Sequence, residues 1–238
     1  MLEVYRVPAN FVLRVHQGIR PYQSESVAKK VEAIWKAERE KKGDKLFNGE
    51  VLTFLSFVDG VVEAGITDYK TFLAQLRDPS LYEDLGVRTL AVSGLVTVDD
   101  EIIFGKRAEH LTQHPGLWEL VPSGGMDVSN SPIDQFFLEL EEELGIPKSR
   151  VLSTSVFLVV EDLIAHTMDF CVIAELSGSR QELESFINRH TGEYSEFKWV
   201  NSQEIQGFCE NLGFGRFVGV SLEILNAKGF LKGTWNRE

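Results

Sequence analysis

Residues 124–146 read GGMDVSNSPIDQFFLELEEELGI, and this stretch decides how the rest of the chain is interpreted. Ser131 is a good helix N-cap, Pro132 suits the first helical position, and Asp134 nearly completes a capping box. Ile133, Phe136, Phe137, Leu140 and Leu144 recur at helical spacing and form a face that packs on a sheet. Gly145 followed by Pro147 ends the helix. Glu139, Glu142 and Glu143 stand at i, i+3 and i+4, so they project from a neighbouring face as one cluster, with like charges opposing each other by a few tenths of a kcal/mol per pair. A solvated acidic face is the plain interpretation of three such glutamates. Their position just after a strand, a Gly-Gly turn and a capped helix start favours a second one. Carboxylates on a rigid helix are oxygen ligands suited to Mg²⁺ or Mn²⁺. Ions held there could polarise a pyrophosphate and activate water.

Residues 88–238 carry apolar strands TLAVSGLVTV and EIIFGKRA split by Asp99-Asp100, then LWELVP, with Ser123-Gly124-Gly125 breaking that strand. After the acidic helix come strands VLSTSVFLVVEDL and HTMDFCVIAELS, a helical RQELESFINRH, a strand SEFKWVN, and helices near 202–212 and 219–228. Residues 1–87 open with strand-like Leu2–Val7 and Asn10–His16. A helix capped by Ser24 or Ser26 and ended by Gly43 follows, then a hairpin around Asp59-Gly60 and a short helix in DYKTFLAQLRD. Strands and helices mix without strict alternation, which predicts a layered α/β or α+β fold. G-x-G-x-x-G and Walker patterns are absent from the sequence.

Composition narrows the partners. The 238 residues carry 24 Lys+Arg against 36 Asp+Glu, a net charge of −12, with 43% hydrophobic residues. Such a chain has no basic footprint for nucleic acid or an anionic membrane surface. No run of 18 apolar residues occurs and the N-terminus does not read as a secretory signal. Cys171 and Cys209 lack a CxxC spacing and read as free buried thiols, which fits a reducing, cytoplasmic setting.

The acidic stretch resembles the Nudix box, G-x5-E-x7-R-E-U-x-E-E-x-G-U with U apolar. Gly124 matches the opening Gly, Glu139 the Glu after the Arg, Leu140 the first apolar site, Glu142 and Glu143 the paired acids, and Gly145 and Ile146 the close. Asn130 stands where the pattern has Glu and Leu138 where it has Arg. In the family those two side chains organise loop and helix, whereas the retained acids hold metal. The pieces Lys106-Arg107, PGLWELVPSGG at 115–125 and MDFCVIAEL also fit such a domain. The resemblance implies an α/β/α sandwich with a mixed sheet over 88–238 and an N-terminal α/β extension over 1–87. In the extension, EAIW at 32–35, LFNG at 46–49, LTF at 52–54, GITDYKTFL at 65–73 and LGV at 85–87 are similar to the uridine diphosphate-sugar diphosphatase branch. That branch also departs at the Arg position.

The implied activity is Mg²⁺-dependent hydrolysis of UDP-glucose or UDP-galactose to UMP and sugar 1-phosphate, with Mn²⁺ as a substitute. Glu139, Glu142 and Glu143 are the expected catalytic acids and, with Gly124, the metal site. Diphosphatase action on ADP-ribose or another nucleoside diphosphate-X, and a non-catalytic nucleotide-binding module, are the competing expectations. Lys106 and Arg107 end an apolar strand, where a cation could meet substrate phosphate. Glu193 and Glu196 lie in a Gly-containing loop region, from which such enzymes often supply a further acid. Phe47 and Asn48, with Tyr69, are candidates for base recognition; a core role for the rings and a turn role for Asn48 are the plain alternatives. His16, His110, His114, His166 and His190 show no zinc spacing and receive no role.

Overall fold

The computed structural model describes residues 1–8, 10–18, 24–43, 46–187 and 192–232. One mixed sheet organises them, its main path running β1 (Leu2–Arg6), β9 (Val151–Asp162), β10 (Thr167–Leu176), β5 (Thr89–Val98), β3 (Glu50–Val58), β4 (Val61–Asp68), β2 (Val12–His16). β8 (Ser123–Gly125) and β6 (Glu101–Arg107) branch from β5, and β6 also pairs with β7 (Trp118–Leu120) and β11 (Tyr194–Asn201). β10 runs parallel to β5 and antiparallel to β9.

The box helix, α4, spans Pro132–Leu144, with Ser131 accepting from the Asp134 N–H and Gly145 left-handed at its end. Phe136, Leu140 and Leu144 are fully buried. Each contributes about 2 kcal/mol by leaving water, which outweighs the few tenths that each glutamate pair costs. Gly94 on β5 makes the close packing possible, because a Cβ there would lie 2.6 Å from the Phe136 ring. Alternation divides β5 and β10 between two cores. Leu90, Val92, Met168 and Phe170 join α4 in one core. Leu95 and Cys171 face the other, with α6 (Ile205–Leu212) and α7 (Gly219–Ala227). Helices therefore cover both faces of the sheet, an α/β/α arrangement.

Residues 1–87 do not form a detached layer. β1 adds to the sheet edge beside β9, Phe11 stacks on Phe170 at 5.6 Å, and Thr53 pairs with Thr89. α1 (Glu25–Lys42), α2 (Tyr69–Arg77) and α3 (Tyr82–Leu85) share a small core of Val27, Val31, Ala74 and Leu85.

Two local expectations are corrected. Ser123-Gly124-Gly125 does not merely break a strand; it forms β8 against Ala91–Ser93, because two glycines permit extended pairing as readily as a turn. The helix expected over 180–190 is short, α5 (Arg180–Glu184), and its continuation through His190 lies partly outside the described residues. No described helix is long and apolar enough to cross a membrane.

Candidate active site

A cleft of about 620 Å³ opens where α4, β8 and the first halves of β5 and β10 meet. Glu139, Glu142 and Glu193 line it, together with Val51, Tyr69 and Phe72 from the first 87 residues. Gly124 supplies the close approach between β8 and α4: a Cβ at this position would overlap the Glu139 carboxyl group. Gly124→Ala is therefore expected to displace that carboxyl and lower turnover by about 10- to 100-fold. The fold should survive, since the overlapped group is the end of a flexible side chain. Circular dichroism and kcat on the same sample check both halves.

The three box glutamates occupy different environments. Glu143 is 3% exposed; its Oε2 accepts from the Ser123 N–H at 3.1 Å, and both oxygens lie 3.3 Å from the Tyr194 hydroxyl. Glu139 accepts from the Gln135 side chain at 2.7 Å. Glu142 is exposed at the cleft rim. Burial, then the neighbouring carboxylates Glu119, Glu139 and Glu193, holds the Glu143 carboxyl well above its usual range. Burial likewise raises Glu139, against the pull of Gln135 and with Glu142 and Glu193 adding to the rise. The expectation of one ready-made cluster is thus corrected. Among the described residues no three His, Cys, Asp or Glu side chains are gathered tightly enough to hold an ion. Like charges separate, and the helix geometry turns Glu143 inward to Tyr194 while Glu142 faces water.

The donor set nevertheless fits a hard divalent cation. It is all oxygen, and carboxylates crowded enough to hold one another's protons are those that a cation relieves. Among the described residues, seven carboxylates line the cleft against a single Lys or Arg, Arg107.

Arg107 is already engaged: it pairs with buried Glu119 at 2.6 Å, and its Nε donates to the Gln113 carbonyl at 3.1 Å. Burial opposes its charge, but Glu119 beside it wins and the guanidinium stays charged. Burial pushes Glu119 up, against the pull of Arg107 and the Tyr194 hydroxyl, which donates to it at 2.8 Å. A chain Arg107–Glu119–Tyr194–Glu143 results, whose middle members the sequence reading did not single out. A Glu inside the apolar run Trp118–Leu120 was the signal available.

The other expected residues divide. Lys106 alternates away from Arg107 and is not among the cleft's lining residues; Glu196 is its register partner across β11 and is exposed. Glu193 does line the cleft. Phe47 and Asn48 do not, which corrects their placement at the base. Phe47 is 80% exposed, and Asn48 is spent on the start of α2, donating to Asp68 at 3.3 Å and accepting from the Lys70 N–H at 2.7 Å. Tyr69 lines the cleft. Among the histidines, His114 lines it, His16 pairs with Glu63 and His166 stacks on Tyr82.

The two departures from the box have a local counterpart. Asn130 donates to Gln135 at 3.0 Å, the same Gln135 oxygen accepts from the Asp127 N–H at 3.0 Å, and the Gln135 amide donates to Glu139. Loop and helix are tied through an amide relay, and Leu138 is left at the surface, 44% exposed.

A sequence comparison decides the family. The chain is 30% identical over 137 residues to an RNA pyrophosphohydrolase of Rhizobium meliloti (strain 1021), covering 52% of this chain and 80% of that protein. The chain belongs to the Nudix hydrolase superfamily. No family model matches it. Among solved structures, this Nudix chain is similar to a MutT protein from Methanosarcina mazei Go1 (16% identity, TM-score 0.41), covering 58% of this chain and 90% of that one. It is also similar to a C. elegans Ap4A hydrolase (13% identity, TM-score 0.42), covering 59% and 96%.

Proposed function

We propose that this Nudix protein hydrolyses the pyrophosphate bond of a nucleoside diphosphate sugar, UDP-glucose or UDP-galactose, releasing UMP and sugar 1-phosphate. The observation that carries the reading is the composition of one cleft wall by two parts of the chain. The box acids Glu139 and Glu142 line it together with Val51, Tyr69 and Phe72, from the segment that resembles the uridine diphosphate-sugar branch. Its volume lies within the range of small-molecule sites.

Glu139, Glu142 and Glu143, with the Gly124 backbone, are the residues that would hold Mg²⁺ or Mn²⁺, which when bound neutralises phosphate charge and lowers the pKa of attacking water. Glu193 or a box glutamate takes that water's proton. Tyr194 and the Ser123 N–H fix the Glu143 carboxylate. Arg107 holds Glu119, so its guanidinium organises the site besides facing the cleft.

The name of the Rhizobium relative, an RNA pyrophosphohydrolase, raises RNA as a second substrate class. A net charge of −12 and seven carboxylates around the cleft disfavour a polyanionic chain. ADP-ribose would keep the same chemistry with another base.

Purified protein with Mg²⁺ should be given UDP-glucose, UDP-galactose, ADP-ribose, CDP-choline and a 5′-triphosphorylated RNA oligonucleotide. UMP from the UDP-sugars, abolished by EDTA, is the expected result. Turnover confined to ADP-ribose or RNA discards the sugar assignment. No turnover with retained nucleotide binding identifies a binding module instead.

A further inference from the structure

The cleft does not end at the box acids. Beyond β8 it continues across β5 to β10, where Asp169 and Thr167 stand beside Thr89 and Ser93, with Asp162 at the end of β9. Register fixes the spacing. Gly125 pairs with Ala91, and Ala91 with Asp169, so Asp169 lies two strands from β8, about 10 Å. That is the reach of one ring beyond a phosphate held at Gly124 and Glu139.

The side chains of this wall are short, polar and fixed. Asp169 is 6% exposed and Asp162 is 5% exposed. Ser93 donates to Asp169 at 2.8 Å, and its oxygen lies 3.2 Å from the Ser123 hydroxyl. Asp162 is held by the N–H groups of Ile164 and Ala165 at 2.9 and 3.0 Å. Among the described residues no Lys or Arg lines this end, and the guanidinium that does line the cleft, Arg107, is committed to Glu119. A carboxylate offers about four acceptor positions, more than these donors fill. A buried aspartate also has an inexpensive alternative here, since Leu95 and Cys171 continue the same strand faces as apolar core. The polar wall thus coincides with the part of the face that lines the cleft.

We propose that Asp169 and Asp162, with Thr89, Ser93 and Thr167, form a recognition wall for an uncharged ring rich in N–H or O–H donors at the substrate's end, and that it rejects substrates bearing an acidic group there. The inference rests on the diphosphatase reading and specifies its substrate. A sugar ring and a nucleobase share the required chemistry. The acidic wall accepts hydrogen bonds from either and repels a carboxylate or phosphate placed against it.

The test compares kcat and KM, with Mg²⁺, for UDP-glucose, UDP-glucuronic acid and ADP-glucose, in wild type and in Asp169→Asn. The first pair of substrates differs by one carboxylate on the sugar; UDP-glucose and ADP-glucose differ in the base. Wild type is expected to prefer UDP-glucose over UDP-glucuronic acid by at least about tenfold. Asp169→Asn should narrow that gap, lowering the KM of the glucuronate and raising that of UDP-glucose, whose hydrogen bonds to the wall it weakens. If the wall holds the base, the variant instead changes the UDP-glucose to ADP-glucose ratio and leaves the glucuronate gap intact. A variant that moves neither ratio overturns the proposal and leaves Asp169 as a buried structural group. Should wild type hydrolyse none of the three, the nucleotide-sugar reading fails. Calorimetric Kd values for the same ligands then judge the wall separately, and equal Kd ratios in wild type and variant overturn it. If Asp169→Asn does not fold, Ser93→Ala, which frees the same carboxylate from its partner, is read by the same ratios.

Discussion

Glu143→Gln is expected to reduce turnover of the cleaved nucleotide sugar by about 10³-fold, a loss of about 4 kcal/mol of transition-state stabilisation. The fold should be unaffected. A glutamine keeps an acceptor oxygen for the Ser123 N–H, 3.1 Å away in the native chain, and its amide can donate to the Tyr194 oxygen, whose own proton goes to Glu119. What disappears is the negative charge, which burial beside Glu119 makes costly to carry without a cation. The thermal midpoint of the variant without added metal should therefore equal or exceed that of wild type while activity collapses. Glu141→Gln, an exposed change on the same helix, serves as the control and should leave kcat within about twofold, as surface changes usually do. Turnover by Glu143→Gln within a few-fold of wild type would remove Glu143 from the catalytic assignment. A parallel loss in both variants would point to the helix rather than the carboxylate.

The second large effect concerns stability and pH. Burial pushes the Asp169 carboxyl up to about 6, against the Ser93 and Thr167 hydroxyls that favour its charged form, with Glu119 and Asp162 adding to the rise. Its ordinary value is 3.8. Between these two values the folded chain retains a proton that the unfolded chain has released. Stability from this group therefore falls as pH climbs from about 4 to about 6, and is lowest above that window. The difference corresponds to roughly 3 kcal/mol at most. Asp169→Asn should remove this decline and raise the stability of the metal-free protein at pH 7 by about 1–3 kcal/mol. Urea denaturation at pH 4.5 and pH 7 measures it: the difference between variant and wild type should be small at the lower pH and grow at the higher. An equal difference at both pH values would show that Asp169 is ionised throughout.

Together the two variants separate what the cleft does from what it costs. Charge at Glu143 is expected to matter for chemistry and charge at Asp169 for selection, and both are held at the expense of stability. Such strain at a site is the usual mark of function in an otherwise consistent fold.

The local sequence already determined much of this. The Ser131 cap, Pro132 and Gly145 bound α4 to the residue, because capping depends on a few adjacent groups. Period-two and helical patterns placed β5, β6, β9, β10 and the hairpin of β3 and β4. The spacing of Gly124, Glu139, Glu142 and Glu143 carried the family resemblance before any contact was known. Tertiary structure alone decided which of those acids is buried, since Glu142 and Glu143 are equivalent by spacing yet one faces water and the other Tyr194, 51 residues away. It also decided that Gln135 and Asn130 tie loop to helix, that Phe47 and Asn48 stand outside the cleft, and that the first 87 residues extend the same sheet. A carboxylate's environment is set by side chains from several strands brought together by register, and register is a property of pairing that no single segment contains. The alternation Thr167, Asp169, Cys171 did carry a trace of the second wall. An aspartate on the inward phase of an apolar strand is costly to bury, and only the folded cleft shows what it faces.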